Sequence, residues 1–134
     1  MSAVVADTHT VIWYLSAAGN LSPAALTALR QSAAAGDAIY VSAISVVEIV
    51  YLVEKNKVPA GALNALLVAL RDPASVLEIV PLDLAIAQAV AQVPRLAVPD
   101  MPDRIITATA LHRGLPLVTR DLMIQAAGVV STIW

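Results

Sequence analysis

Short apolar runs alternate with segments of helical spacing along the whole chain, and this alternation limits the possible folds more than any other feature. Apolar runs of strand length lie at residues 4–6, 38–41, 77–80 and 115–118, and residues 129–133 allow a fifth. Strands joined through helices by short connections pair in parallel with right-handed crossovers, so helices must cover both faces of the sheet. The sequence therefore predicts one α/β domain over residues 1–134, a three-layer α/β/α sandwich with a central, mostly parallel sheet of four or five strands.

Residues that cap helices give further boundaries. Ser22, followed directly by a proline, predicts a helix that extends to about residue 35. Ser42 or Ser45 caps the helix that follows the second strand. Asp83 caps a predicted helix over residues 84–93. These helices supply the two outer layers of the sandwich.

Acidic residues stand where the predicted strands end. Asp7 directly follows the first strand, Asp121 follows the fourth, and Glu48 lies within about two helical turns of the second. Asp103 heads an apolar helix that begins around Pro102. In open parallel sheets, ligands bind beyond the carboxyl ends of the strands. We therefore expect these four carboxylates to meet at one edge of the sheet.

The position of Asp103 has two interpretations. In the first turn after Pro102, the helix dipole and the free backbone N–H groups favour an anion. In the first interpretation, therefore, Asp103 is a helix cap and nothing more. The helix behind it is apolar on most sides, which predicts that it packs within the core and brings its charged end to a site. The other acids at the same edge favour the second interpretation.

The composition limits the class of protein. Hydrophobic residues make up 59% of the chain and charged residues 13%, so part of the apolar surface is expected to meet a partner, including a second copy of the chain. The longest apolar stretch contains Glu48 and two serines, which excludes a membrane span, and the start of the chain lacks the basic residues of a signal peptide. The absence of cysteine excludes disulfides and fits a cytoplasmic protein. The net charge of −2 provides no basic surface for nucleic acid.

Convergent carboxylates require protons or cations. Two carboxylates about 4 Å apart repel by about 4 kcal/mol at an effective dielectric constant of about 20. Oxygen ligands favour Mg²⁺ or Mn²⁺ over Zn²⁺, since the chain has no cysteine and only two histidines. Such an ion can bridge carboxylates to a phosphate and activate water. A glycine-rich phosphate loop and a dinucleotide fingerprint are both absent.

Two kinds of residue near these motifs have open roles. His9 can contact substrate or simply hydrogen-bond on its helix face, and His112 near a helix end fits a dipole contact. Aromatic residues such as Trp13 can stack on bases or pack in the core or in an interface. The same alternatives hold for Tyr14, Tyr40 and Tyr51.

Four segments in this order resemble the PIN-domain nucleases and, among them, the VapC-type toxins of bacterial toxin–antitoxin pairs. The segments are residues 5–9 with Trp13, residues 42–49, residues 100–110 and residues 117–121. The resemblance covers nearly the whole chain. It implies a PIN-like fold, a Mg²⁺- or Mn²⁺-dependent endoribonuclease acting on RNA, a homodimer, and a cognate antitoxin that covers the acidic pocket, often with a basic side chain.

The resemblance also assigns roles to residues. Asp7, Glu48 and Asp103 become the main metal ligands, and Asp121 completes the pocket directly or through water. Thr119 orients a ligand or the attacking water. Asp100 competes with Asp103 for the third place, and Asp103 is favoured because it directly precedes the apolar helix, as in the family.

Few basic residues lie near these motifs. Arg104, Arg113 and Arg120 are the only ones available to hold RNA, so affinity for the substrate would depend heavily on the metal. Two alternatives to a ribonuclease stay open. One is a non-catalytic dimerisation module whose acids recognise a basic partner, and the other is a nuclease that acts on DNA, because metal chemistry does not read the sugar.

Overall fold

Five parallel strands form one sheet in the computed structural model, which describes residues 2–134. The sheet order is β3-β2-β1-β4-β5, and all four neighbouring pairs are parallel. The strands are β1 (Val4–Ala6), β2 (Ile39–Ser42), β3 (Leu77–Val80), β4 (Leu117–Val118) and β5 (Thr132–Ile133). The predicted α/β fold with a central parallel sheet is thereby confirmed.

Within residues 2–134, seven α-helices connect and cover the strands. They are α1 (Thr8–Ser16), α2 (Pro23–Ala35), α3 (Ala43–Glu54), α4 (Ala62–Arg71), α5 (Leu84–Ala89), α6 (Met101–Arg113) and α7 (Leu122–Ala127), with short 3₁₀ helices at Ala18–Asn20 and Val90–Gln92. Ser22 caps α2, as predicted, and Ser42 rather than Ser45 caps α3. None of the helices within residues 2–134 combines the length and the apolar character that crossing a membrane requires.

Alternation along the central strand sends its side chains into two cores. Val4 and Ala6 belong to the core beneath α1, α3 and α4, whereas Val5 belongs to the core with α5, α6 and α7. All three side chains are buried, as expected for a central parallel strand. The sheet thus separates two helical layers, and α6 contributes a largely buried helix to one of them.

One predicted helix is shorter than expected. The helix after Asp83 ends at Ala89 and continues only as a 3₁₀ turn, whereas the sequence predicted residues 84–93. Pro94 has no N–H to donate to the Val90 carbonyl, so the α-helical pattern cannot continue. The Val90 carbonyl accepts instead from the backbone N–H of Val93 and from the Arg104 side chain, both at 3.0 Å. Arg104 also donates to the carbonyl of Val93.

The strand order fixes where a ligand can bind. From β1 the chain proceeds through β2 to β3 on one side, and β4 and β5 lie on the other, so the direction of winding changes between β1 and β4. Ligands in open α/β sheets bind at such a point, beyond the carboxyl ends of the strands. Asp7 leaves β1 there, and its backbone N–H donates to the Val118 carbonyl of β4 at 3.1 Å.

Candidate active site

A pocket of about 490 Å³ lies at this change of winding direction. It is bordered by residues that directly follow β1 and β4, by α1, by Glu48 in the second turn of α3, and by the start of α6. The carboxylates that line it are those of Asp7, Glu48, Asp100, Asp103 and Asp121. Residues separated by more than 100 positions in the sequence therefore meet in one cavity.

Asp7 is held by hydrogen bonds to both of its carboxylate oxygens. Oδ1 accepts from the backbone N–H of Thr8 at 2.6 Å and caps α1, while Oδ2 accepts from the hydroxyl of Thr119 at 2.6 Å. Burial raises the pKa of Asp7 above its usual value of 3.8, and the hydrogen bond from Thr119 opposes that rise. Each oxygen has further lone pairs, so a fixed Asp7 can still bind a cation.

Thr119 donates a hydrogen bond to Asp7 from the protein interior. The side chain is fully buried, and besides donating to Asp7 its hydroxyl accepts from the backbone N–H of Asp121 at 3.0 Å. Thr119 is not among the residues that line the pocket. In the structure the Thr119 hydroxyl is thus engaged with Asp7 and with the backbone of Asp121.

Glu48 is oriented by two buried hydroxyl groups. Thr8 donates to Glu48 Oε1 at 2.5 Å, and the Thr8 and Ser45 hydroxyls lie 2.8 Å apart. Thr8 has a single hydroxyl proton, so Ser45 must be the donor to Thr8. Burial is the main cause that raises the pKa of Glu48. The hydrogen bond from Thr8 lowers it, and the charges of Asp7 and Asp100 raise it further.

Asp100 and Asp103 occupy different positions at the start of α6. Asp100 is the N-cap, and its Oδ1 accepts from the backbone N–H of Asp103 at 3.0 Å. Asp103 lies in the first turn and is not the cap, so its carboxylate is free of that structural task. Burial raises the pKa of Asp103 to about 8, with further contributions from the charges of Asp7, Asp100, Asp121 and Glu48.

Three of the carboxylates are close enough to share one cation. One oxygen from each of Glu48, Asp100 and Asp103 lies within 4.8 Å of the other two. The sequence left Asp100 and Asp103 as alternatives for the third metal ligand, whereas the structure places oxygens of both beside Glu48. A set of oxygen donors with crowded negative charge fits a hard divalent cation such as Mg²⁺.

Asp121 closes the other side of the pocket. Its Oδ1 accepts from the backbone N–H groups of Met123 and Ile124 at 2.8 and 3.0 Å, and it thereby caps α7. The same carboxylate contributes to the raised pKa of Asp103. Asp121 thus combines a capping role with a position on the pocket wall.

The three arginines near the motifs have different positions. Arg104 donates to backbone carbonyls after α5, and the Arg113 guanidinium lies over the Tyr40 ring at 4.3 Å. Arg120 is the one of the three that lines the pocket. Thr8 and Ser45 were not among the site residues predicted from the sequence, although they orient Glu48. A signal was available, because Ser45 precedes Glu48 by three residues and shares its helix face.

Replacing Thr119 with Val is expected to lower activity by about 10- to 100-fold, the usual effect of removing a group that orients a metal ligand. Val preserves the volume and removes the hydroxyl that holds Asp7 and accepts from Asp121. Turnover of RNA, the substrate that the resemblance implies, measures the effect. Thr109→Val is the matched control, since the Thr109 hydroxyl is also buried but bonds only to its own helix at Ile105. Equal losses in the two variants would contradict the orienting role.

The fold and the pocket define a class: an α/β protein with a carboxylate-lined site, suited to a divalent cation, where the sheet changes its winding direction. The model of the PIN domain family matches residues 4–129, and the chain belongs to that family. The resemblance seen in the four sequence segments is thereby confirmed.

Individual relatives agree with this assignment. The chain is 29% identical over 126 residues to ribonuclease VapC22 of Mycobacterium tuberculosis, covering 94% of this chain and 92% of that protein. The fold is similar to a chain in the crystal structure of VapBC2 from Rickettsia felis bound to a promoter DNA fragment, with a TM-score of 0.71, 17% identity, and coverage of 97% and 96% of the two chains. It is also similar to a chain of FitAcB from Neisseria gonorrhoeae, with a TM-score of 0.61, 24% identity, and coverage of 96% and 95%.

Proposed function

We propose that this protein is a metal-dependent endoribonuclease and the toxin of a toxin–antitoxin pair. The observation on which the proposal depends is the clustering of Glu48, Asp100 and Asp103 oxygens within 4.8 Å in a pocket shared with Asp7 and Asp121. Similarity to ribonuclease VapC22 over most of both chains supports RNA as the substrate. A cysteine-free ribonuclease of this kind would act in the cytoplasm.

Some residues at the site would bind the metal, and others orient the residues that bind it. Glu48, Asp103 and Asp7 would hold a Mg²⁺ or Mn²⁺ ion, with Asp121 and Asp100 completing the set. When bound, the ion supplies Lewis-acid stabilisation of the charge that develops during phosphodiester hydrolysis. The Thr119 and Thr8 hydroxyls keep two of the carboxylates in fixed orientations, so little reorganisation accompanies the reaction.

Electrostatics make RNA binding depend on the cation. The pocket walls are acidic and the chain has a net charge of −2, so a phosphate would be repelled from an ion-free pocket. Arg120 supplies a positive charge on the pocket wall, where a guanidinium can pair with a phosphate oxygen. Metal and Arg120 together would offset the repulsion.

The test is cleavage of a single-stranded RNA with magnesium, with manganese and with excess chelator. We expect cleavage with either metal and none with chelator, and the Asp7→Asn protein should be inactive in all three. A parallel DNA substrate distinguishes a DNA-directed nuclease. Cleavage at the wild-type rate by folded Asp7→Asn protein would refute the assignment. Absence of cleavage by the native protein would favour a non-catalytic module.

An apolar groove adjoins the acidic pocket and supports an antitoxin as the partner. The groove has a volume of about 330 Å³, and its lining includes Val47, Tyr51, Met101 and Glu48, of which Glu48 also lines the acidic pocket. The first three are exposed at 49%, 58% and 65%. An antitoxin segment could place apolar side chains in the groove and a basic side chain among the carboxylates.

We also propose a homodimer that forms through the helices between residues 22 and 71. Val68 on α4 is 56% exposed and is one of the large apolar side chains that a second copy could cover. Sedimentation at micromolar concentration should show a dimer, and Val68→Glu should shift it towards monomer. Leu96→Glu is the control, because Leu96 is 91% exposed but lies outside these helices. A native protein that sediments only as a monomer would contradict the proposal.

A further inference from the structure

Three aromatic rings and one guanidinium lie together beside the acidic pocket. The His9 and Trp13 ring centroids are 5.4 Å apart, and those of Trp13 and Trp134 are 6.0 Å apart. The Arg120 guanidinium carbon is 5.7 Å from the centroid of Trp13. We refer to His9, Trp13, Arg120 and Trp134 as the aromatic platform. Trp13 is its centre, because it is the member close to each of the others.

The platform opens into the same cavity as the carboxylates. His9, Trp13 and Arg120 line the pocket together with the acidic residues. This follows from the local structure of α1, which begins directly after Asp7 and places His9 and Trp13 four residues apart on one helix face. Arg120 lies between Thr119 and Asp121, which both belong to the acidic site. A ligand in the acidic pocket therefore has the platform beside it.

Core packing accounts for only part of this arrangement. Trp13 and Trp134 are partly buried and pack against the core beneath α1. His9 and Arg120 are exposed, and yet both are directed at the Trp13 ring. Aromatic rings left partly open to solvent, with a guanidinium beside them, can stack on another flat ring and offset a neighbouring negative charge.

We propose that the platform stacks a nucleobase of a single-stranded RNA whose adjacent phosphate lies in the acidic pocket. This rests on the proposed function, since it takes RNA as the occupant of that pocket. The bases of an RNA duplex are stacked on each other, whereas unpaired bases in loops or ends are free to stack on aromatic side chains. The platform thus selects an unpaired segment at the cleavage site. It tolerates different bases, because every base has a π-face.

The experiment measures binding of a short single-stranded RNA and of a series in which one nucleotide at a time is abasic. All proteins contain Asp7→Asn, so that the RNA stays intact in magnesium. Both tryptophans of the chain belong to the platform, so quenching of intrinsic tryptophan fluorescence reports directly on stacking. His9→Ala and Trp13→Ala are the test variants. His112→Ala is the matched control, since His112 is exposed and lies at the other end of α6 from Asp103.

We expect one abasic position to weaken binding by about 10-fold and to abolish the quenching, in both the parent protein and the control. Either test variant should reduce that preference for the intact base to less than about twofold. His9→Ala alters an exposed side chain, so it gives the answer even if Trp13→Ala does not fold. His9→Phe, which keeps a flat ring, should restore the preference.

Two results would overturn the platform: no position in the abasic series matters, or the preference survives in every folded test variant. These outcomes are separate from the proposed function. If the native protein cleaves RNA but has no such preference, only the platform fails. If the preference is present but the native protein never cleaves RNA, the ribonuclease assignment fails and the platform stands.

Discussion

Asp103→Asn is expected to reduce RNA cleavage by at least about 100-fold, a loss typical of removing one preorganised electrostatic group, while it stabilises the protein in chelator. The two effects have one cause. Asp103 is partly buried among Asp7, Glu48, Asp100 and Asp121, whose charges all raise its pKa. Without a cation the folded protein must either keep a charge at Asp103 in this cluster or take up a proton there, and a neutral amide of the same shape removes both costs. With a cation the same charge contributes to binding.

Turnover of RNA in magnesium and the melting temperature in chelator test this prediction together. We expect the melting temperature of the variant to exceed that of the native protein by a few degrees in chelator, and this difference to shrink or reverse in magnesium. Asp72→Asn is the control, because Asp72 is exposed and its carboxylate only accepts from the backbone N–H of Ala74. A variant that keeps its activity, or that is less stable in chelator, would contradict a charge-crowded metal site.

The second large effect is a pH dependence of stability that magnesium removes. The pKa of Asp103 rises from 3.8 to about 8 in the folded protein, and the pKa values of Asp7 and Glu48 also rise. Between these limits the folded state binds more protons than the unfolded chain, so the free energy of unfolding in chelator should fall as pH rises from about 4 to about 8. Magnesium binds the ionised carboxylates of the folded state only, so its stabilisation grows as pH rises and should cancel this fall, which leaves the free energy of unfolding nearly independent of pH at saturating magnesium.

Denaturant unfolding at several pH values, with chelator and with magnesium, measures both slopes. At a magnesium concentration 100 times its dissociation constant, the ion should add about 2.7 kcal/mol to the free energy of unfolding. Asp103→Asn should flatten the slope in chelator, because it removes a group whose pKa rises to about 8 in the folded protein. A native protein whose stability in chelator rises steadily over this pH range would show that the carboxylates are not crowded.

Periodicity and capping were sufficient to predict most of the fold. The alternation of apolar runs with helical segments predicted the parallel sheet, and Ser22 predicted the start of α2. The predicted helix over 84–93 was too long, because its end depends on Pro94 and on a side chain, that of Arg104, which comes from a later helix. A bond between distant segments is not visible in a local pattern.

The sequence by itself determined that Asp7, Glu48, Asp103 and Asp121 would lie near one edge of the sheet, since each follows a strand or heads a core helix. Only the tertiary structure decided which role each residue has at that edge. It assigned the helix cap to Asp100 and left Asp103 free, placed both beside Glu48, and turned Thr119 towards Asp7. The physical reason is that strand and helix periodicity determines the position of a side chain only to within a few ångströms. Hydrogen bonding and cation binding depend on much smaller distances, which are fixed only when α1, α3, α6 and β4 pack together.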